Sequence, residues 1–363
     1  MERTSLSKNH RFRPVETLFK IIVTSLAVAI VFVFRSIKGN YRFADKVVII
    51  TGGSRGLGLA IAREFAKEKT RIAILAREEP ELDEAKSELL KNGVEVQTFP
   101  CDLYKQEEIS SAINAVAQHF GRIDLLVNNA GEIVVGPLAT MSTQDFEEAM
   151  KIHFWAPYYT ISAATPYLRQ QSESRIVNIA SVGGAVAVPH LAPYCASKFA
   201  LVGLSDALRA ELDKEGTRVT TVIPGLMRTG SHVNAQFKGS NKKEFTWFTL
   251  GMANPFLSVD PAHAARQIVE AARRGQSVLT ITGLTKLAII SQALMPNFTA
   301  TILKFINRFL PSQPSNGGTQ IRSGWESRVK LGILTRLADK AIGFYNQNIS
   351  THGKSGGRPG VHN

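Results

Sequence analysis

Val47-Val48-Ile49-Ile50-Thr51-Gly52-Gly53-Ser54-Arg55-Gly56-Leu57-Gly58 decides the fold of this 363-residue chain. A short apolar run ends in glycines, and a helical pattern over Leu57–Lys69 follows at once. Glycines at such a junction let the backbone approach a pyrophosphate, whose charge suits the N-terminus of a helix. The spacing is Gly-x-x-x-Gly-x-Gly rather than the more familiar Gly-x-Gly-x-x-Gly. A glycine turn alone is uninformative, since any tight strand-to-helix turn can use one. Its position directly after a strand and before a helix gives it weight.

Outward from that turn, strand and helix patterns alternate. Strands are expected at Arg71–Ala76, Val94–Phe99, Ile123–Asn128, Arg175–Ala180 and Arg218–Ile223. Helices are expected at Glu81–Asn92, Ile109–Phe120, Thr143–Leu168 and Ala196–Lys214. A further helix runs from Pro261 to Arg274, and Ser277–Ile281 fits a last strand. This order implies an α/β fold, a doubly wound parallel sheet of Rossmann type with helices on both faces. Residues 41–282 form the expected catalytic domain. Leu284–Leu310 is mixed apolar with scattered Lys286, Lys304 and Arg308. It is either an amphipathic helical pair that caps a cleft or lies on a membrane, or a packing extension of the domain. A Pro/Ser/Gly linker at Pro311–Thr319 precedes a basic helical stretch that closes the 283–346 extension. Residues 347–363, polar and glycine-rich, read as a disordered tail.

The first forty residues stand apart. Arg3, Lys8, Arg11 and Arg13 precede Leu18–Phe34, an apolar run broken only by Lys20, Thr24 and Ser25, and Arg35 and Lys38 follow it. Spanning a bilayer takes roughly 20 apolar residues, with about 17 as the lower end, and Lys20 can snorkel to the headgroups. No small-residue cleavage site follows Phe34, so a retained hydrophobic anchor helix is preferred over a cleaved signal. The expectation is a membrane-associated protein, anchored once through residues 18–34, with a cytoplasmic catalytic domain. Cations on both sides leave the orientation itself open.

The composition, 44% hydrophobic and 20% charged, suits a globular core. The net charge of +13 raises nucleic acid, anionic membrane and anionic cofactor as partners. No recognition module or interleaved basic-aromatic face is present, so no nucleic-acid partner is expected. Cys101 and Cys195 lack metal-ligand spacing and read as small core residues, with no metal site expected.

Chemistry concentrates between residues 128 and 198. Tyr194 and Lys198 lie four apart at the start of a helix and share one face. A free tyrosine, with a pKa of about 10, is a poor base at neutral pH, and a neighbouring ammonium is expected to lower that value. Ser181 ends the preceding strand, and its hydroxyl can orient and polarise a substrate carbonyl. Together, Thr51–Gly58, Asn128-Asn129-Ala130-Gly131 and Tyr194-Cys195-Ala196-Ser197-Lys198 resemble the short-chain dehydrogenase/reductase family, from about Lys46 to about Ile281. The resemblance implies a single Rossmann-type domain with about seven parallel strands. It implies that Ser181, Tyr194 and Lys198 are catalytic, and that Lys198 also holds the nicotinamide ribose. It implies that Gly52, Ser54, Arg55, Gly56, Leu57 and Gly58 form the phosphate turn. It places Asp102 against adenine, Asn128, Ala130 and Gly131 on the adenosine side, and Pro224, Gly225 and Thr229 near the nicotinamide amide. Family members commonly form oligomers, and a homodimer is the expectation here.

One position departs from the family. Where relatives carry an asparagine that supports a water relay, Met150-Lys151-Ile152-His153-Phe154 offers His153. That histidine either replaces the asparagine in the relay or is a core residue satisfied by backbone. Cofactor choice follows from the second strand, which ends Ile74-Leu75-Ala76-Arg77. NAD-preferring relatives usually place a carboxylate at the Ala76 position. With Arg77 next to it and Arg55 in the turn, two guanidiniums suit a 2′-phosphate, so NADP(H) is favoured over NAD(H). The expected function is an NADP(H)-dependent oxidoreductase interconverting a carbonyl and a secondary alcohol. Its expected partner is a small lipophilic substrate, because of the anchor and the apolar Phe245–Leu257 segment. The alternative from another class is a membrane scaffold that senses NADP(H) without turnover.

Overall fold

A computed structural model describes residues 17, 20–25, 41–255, 257–313, 318–329 and 336–347, with the side chains of 336–338 excepted. In the first unit, residues 1–41, the described residues 20–25 are helical and exposed. The rest of the 18–34 anchor expectation lies outside the described residues. Among the described residues no helix is long and apolar enough to cross a membrane.

In the second unit, β1 (Val47–Thr51) is buried along its whole length, as a strand covered on both faces must be. It is followed by α1 (Gly56–Lys67), β2 (Arg71–Ala76), α2 (Glu79–Leu90), β3 (Val96–Pro100), α3 (Gln106–Phe120) and β4 (Leu125–Asn128). Next come α4 (Thr143–Met150), α5 (Ala156–Leu168), β5 (Ser174–Ile179), α6 (Ala192–Leu212) and β6 (Thr217–Pro224). The chain continues through α7 (Asn241–Ala253), α8 (Pro261–Arg274), β7 (Val278–Ile281), α9 (Gly283–Leu294), α10 (Pro296–Asn307) and α11 (Arg336–Phe344). The seven strands form one parallel sheet in the order β7-β6-β5-β4-β1-β2-β3. β1 pairs with β2 on one side, Val48 opposite Ile72, and with β4 on the other, Val48 opposite Leu125. The winding therefore reverses between β1 and β4, and their carboxyl ends open a crevice there.

Alternate strand residues face opposite layers. Val47, Ile49, Leu75, Leu126 and Ile176 pack with Ile109, Ile113, Ile161 and Leu168 of α3 and α5 in one core. On the other face α1 packs on α8. Cys101 and Cys195 are buried free thiols.

Two expectations need correction, and one set of short pairings has no sequence signal. Thr143–Leu168 is not one α-helix, since a π turn at Lys151–Trp155 separates α4 from α5. Pro157 has no N–H to continue the ladder, and the Ala156 N–H reaches back five residues to the Lys151 carbonyl. Short pairings at Val134–Val135, Gln236–Phe237 and Arg322–Ser323, and at Leu226–Met227 with Ser258–Val259, carry too few residues to show a period. Gln347, read as the start of a disordered tail, is buried and hydrogen-bonded to Asn234.

Candidate active site

The crevice begins at the glycine turn. Gly52 (φ 62°) and Gly56 (φ 58°) take left-handed conformations that a side chain resists. A Cβ added at Gly58 would lie 2.1 Å from the Gly52 carbonyl oxygen. The end of β4 latches onto this turn. Asn129 Nδ2 donates to the Thr51 and Gly52 carbonyls at 3.1 and 3.2 Å. Thr51 Oγ1 accepts from the Asn129 and Ala130 amides at 3.0 and 3.2 Å. Thr51 and Asn129 stand within the sequence motifs, but the motifs themselves assign them no role. At the start of α1 no side chain caps the helix and its first turn carries no acid. Leu57 and Gly58 in that turn therefore present a positive helix end to the crevice, which fits a dinucleotide pyrophosphate.

Where adenosine is expected, Ala76 ends β2 and places no carboxylate. Both guanidiniums singled out from the sequence are held by acids. Arg55 pairs with Glu81 at 2.9 Å, and Ser54 Oγ donates to the same carboxylate at 3.2 Å. Arg77 pairs with Glu78 at 2.9 Å. Burial works against the Arg77 charge, but Glu78, Glu132 and Asp102 outweigh it and hold the group firmly protonated. Asp102 Oδ1 accepts from the Tyr104 amide at 3.1 Å and stands in that field. The Asn128 side chain is used inside the sheet. It donates to Asn178 Oδ1 at 2.9 Å and accepts from Thr160 at 2.6 Å, and Asn178 donates to Ser205 on α6 at 2.9 Å. This buried network fixes β4, β5, α5 and α6 against one another.

The catalytic candidates converge where β5 ends and α6 begins. Pro193 in the first turn sets the start of α6, placing Tyr194 and Lys198 on its crevice face. Lys198 Nζ is buried, donates to the Ile179 carbonyl at 2.8 Å, and sits 5.8 Å from the centre of the Tyr194 ring. Burial lowers the Lys198 ammonium to about 7. Burial also pushes the Tyr194 phenol up to about 12, with a hydrogen bond to Ser181 pulling the other way. The lowering of Tyr194 expected from its lysine neighbour is thus reversed, because desolvation disfavours both charged forms here. Ser181 Oγ accepts from the Gly183 amide at 3.1 Å, which leaves its O–H for the Tyr194 oxygen.

His153 lies in the π turn, a distortion common at functional sites. Its Nδ1 is 2.9 Å from Ser197 Oγ, and its Nε2 accepts from the Glu132 amide at 3.3 Å. Ser197 in turn donates to the Tyr194 carbonyl at 2.9 Å. Burial, and then the Lys198 charge, hold the imidazole well below its ordinary value, so it is neutral. The ring packs edge-on against Tyr194, centroids 5.2 Å apart, and leaves room only for glycine at position 131. These contacts pin the loop after β4 to the start of α6.

Half-buried Ile133, Val188, Leu226 and Trp247 pack, as Tyr194 does, against one buried apolar cluster that includes Leu191, Phe237 and Phe245. The Phe245–Leu257 segment, expected as a substrate loop, lies mostly in α7 and turns Phe245, Phe248 and Met252 into its own core against Phe237 and Leu191. Across the crevice, Pro224 ends β6, Gly225 is packed close to Thr285, and buried Thr229 bonds Ser231 at 2.8 Å. A surface cavity of about 640 Å³, lined by Phe146, Met150, Trp155 and Tyr159 among others, belongs to the outer α3–α5 face and contains none of these groups.

The C-terminal end adds residues that sequence reasoning missed. The Tyr345 carbonyl accepts from the Gly56 amide at 2.8 Å, and the Gln347 amide lies where a Gly56 Cβ would stand. Asn234 donates to Gln347 Oε1, and Ile342 packs against Gly230. A strap formed by residues 342–347 thus ties the glycine turn to the loop after β6. No local pattern announces it, since each contact is long-range.

The chain matches the short chain dehydrogenase family model over residues 46–238. It is 28% identical over 268 residues to 17-beta-hydroxysteroid dehydrogenase 13 of Rattus norvegicus, covering 73% of this chain and 83% of the relative. It is 32% identical over 246 residues to a dehydrogenase/reductase SDR family protein 7-like of Anopheles gambiae, covering 66% and 78%. Among solved structures it resembles L-sorbose reductase from Gluconobacter frateurii complexed with NADPH and L-sorbose. That likeness has a TM-score of 0.61 and 26% identity, over 67% of this chain and 97% of the other. A short-chain dehydrogenase from Streptomyces avermitilis is similar at TM-score 0.62 and 25% identity, over 73% and 98%.

Proposed function

Because the chain belongs to the short-chain dehydrogenase family, we propose that it is an NADP(H)-dependent oxidoreductase that interconverts a lipophilic ketone and its secondary alcohol. The observation that carries this reading is the convergence of Ser181, Tyr194 and Lys198 at the end of β5, beside a glycine turn open to a pyrophosphate. When bound, the dinucleotide supplies or accepts the hydride. With substrate bound, the Ser181 O–H turns from the Tyr194 oxygen to the substrate oxygen and orients it. Tyr194, protonated at neutral pH, gives its proton to that oxygen during reduction and recovers it in the reverse direction. Lys198, next to the phenol, supports its charged form and holds the ribose. Neutral His153 fixes the helix that carries both.

The absence of a carboxylate at Ala76 and the nearness of Arg55 and Arg77 support NADP(H), the cofactor named for the similar sorbose reductase. Glu81 and Glu78 must then share those arginines with a 2′-phosphate. The half-buried apolar side chains that share a cluster with Tyr194 support a lipophilic substrate, as does the likeness to a hydroxysteroid dehydrogenase. Membrane association through residues 18–34 remains part of the proposal. So does a homodimer, favoured by the exposed, neighbouring rings of Trp155 and Tyr158. The test is nicotinamide absorbance with NADPH and with NADH across apolar ketones, steroids and sugars. Turnover of apolar ketones with NADPH is expected. Preference for NADH, or for sugars, would overturn the corresponding part.

A further inference from the structure

The hairpin of α9 and α10 is built inside out. Its buried residues are Thr285 and Thr299, and Ser291 joins Thr299 by a 2.8 Å hydrogen bond between the two helices. Its large apolar side chains point the other way. Leu287, Ile290 and Leu294 on α9, with Phe298, Phe305 and Phe309 on and after α10, are 54–75% exposed. Their spacings of three, four and seven residues make continuous helical stripes, and a soluble monomer rarely shows an apolar face of that extent.

The charge around this face has one sign. No Asp or Glu occurs between Glu270 and Glu326, whereas Lys286, Lys304 and Arg308 are all exposed along the hairpin. Each helix has 12 residues, about 18 Å at 1.5 Å per residue, well short of a hydrocarbon core of about 30 Å. Such helices lie in a membrane interface rather than cross it, with apolar side chains among acyl chains and cations at the headgroups. We propose that the α9–α10 hairpin is a membrane-docking surface that inserts into the interface of an anionic phospholipid bilayer, separately from residues 18–34. Thr285 packs against Gly225, so this surface is rooted where the crevice strand β6 ends. Apolar molecules dissolved in the bilayer then meet the protein on the side where the crevice lies.

The test uses the full chain reconstituted into phosphatidylcholine vesicles containing phosphatidylglycerol. Single cysteines at Ile290→Cys and Phe305→Cys, and at exposed Ser111→Cys on α3 as reference, carry an environment-sensitive fluorophore. Buried Cys101 and Cys195 stay unlabelled in the native protein. Spin labels on lipid acyl chains are expected to quench positions 290 and 305 at least twofold and to leave 111 unchanged. Aqueous iodide is expected to do the reverse. The triple variant Lys286→Glu/Lys304→Glu/Arg308→Glu is expected to return both hairpin labels toward iodide. Equal iodide quenching at all three positions would overturn the proposal, and a chain held to the bilayer only through residues 18–34 gives that result. Protection from both quenchers would overturn it too, because the face would then be covered by protein, either another segment or a second copy.

Discussion

The glycine turn after β1 and the C-terminal strap meet at Gly56, but they are built on opposite terms. The turn is short-range: a buried strand, three constrained glycines and an uncapped helix start occupy a dozen consecutive residues. The strap is long-range. Its carbonyl at Tyr345 and amide at Gln347 find partners at Gly56 and Asn234, far away in sequence. Shape in the turn is dictated by what its glycines cannot carry. Shape in the strap is dictated by what it touches. A substitution should therefore be far costlier in the first region than in the second.

A pair of glycine substitutions separates the two regions most strongly. Gly58→Ala drives a Cβ to 2.1 Å from a backbone oxygen, and a loss of about 3 kcal/mol in urea unfolding is expected, with NADPH binding abolished. Gly343→Ala in α11 meets nothing within 4 Å and is expected to be neutral or to gain under about 1 kcal/mol. Equal effects would erase the distinction. Next in size is the adenosine side. Arg77→Ala or Arg55→Ala is expected to raise the KM for NADPH by about ten- to a hundredfold, the loss of one charge-assisted bond. The KM for NADH should stay within about twofold.

The strap itself gives a smaller effect on kinetics. Ending the chain after Phe344 removes the contacts to Gly56 and Asn234, and NADPH release in stopped-flow displacement is expected to quicken about tenfold. Ending it after Gln347 should leave release unchanged. The smallest effect is on stability against pH. Lys198 loses its proton near 7 in the folded chain and near 10.5 when unfolded. Between those values the unfolded state holds more protons, so stability rises with pH. From pH 7 to 8.5 the wild type should gain roughly 1 kcal/mol per pH unit relative to Lys198→Met.

The same contrast explains what the sequence reveals. β1 ends at Thr51 and α8 spans Pro261–Arg274 as expected, because local chemistry marks them: glycines after β1, an Asp260 cap with Pro261 before α8, and Gly275 after it. The Tyr194 and Lys198 spacing likewise places both on one face. Besides the strap, three features were not legible. The π turn at His153 depends on how Pro157 redirects a hydrogen bond. The inward turn of Phe245 and Phe248 depends on packing against Phe237 and Leu191. The pKa of Tyr194 depends on burial, which outweighs the lysine that sequence spacing made prominent.

The most direct measurement compares Tyr194→Phe with wild type in two ways, NADPH affinity by fluorescence titration and turnover of an apolar ketone. Affinity is expected to hold within about threefold while kcat/KM falls by about a thousandfold, the range of a lost general acid. Turnover close to wild type would contradict the role given to Tyr194. Tight NADPH binding by the wild type with no turnover of any carbonyl would mean that this crevice senses the cofactor and performs no reaction.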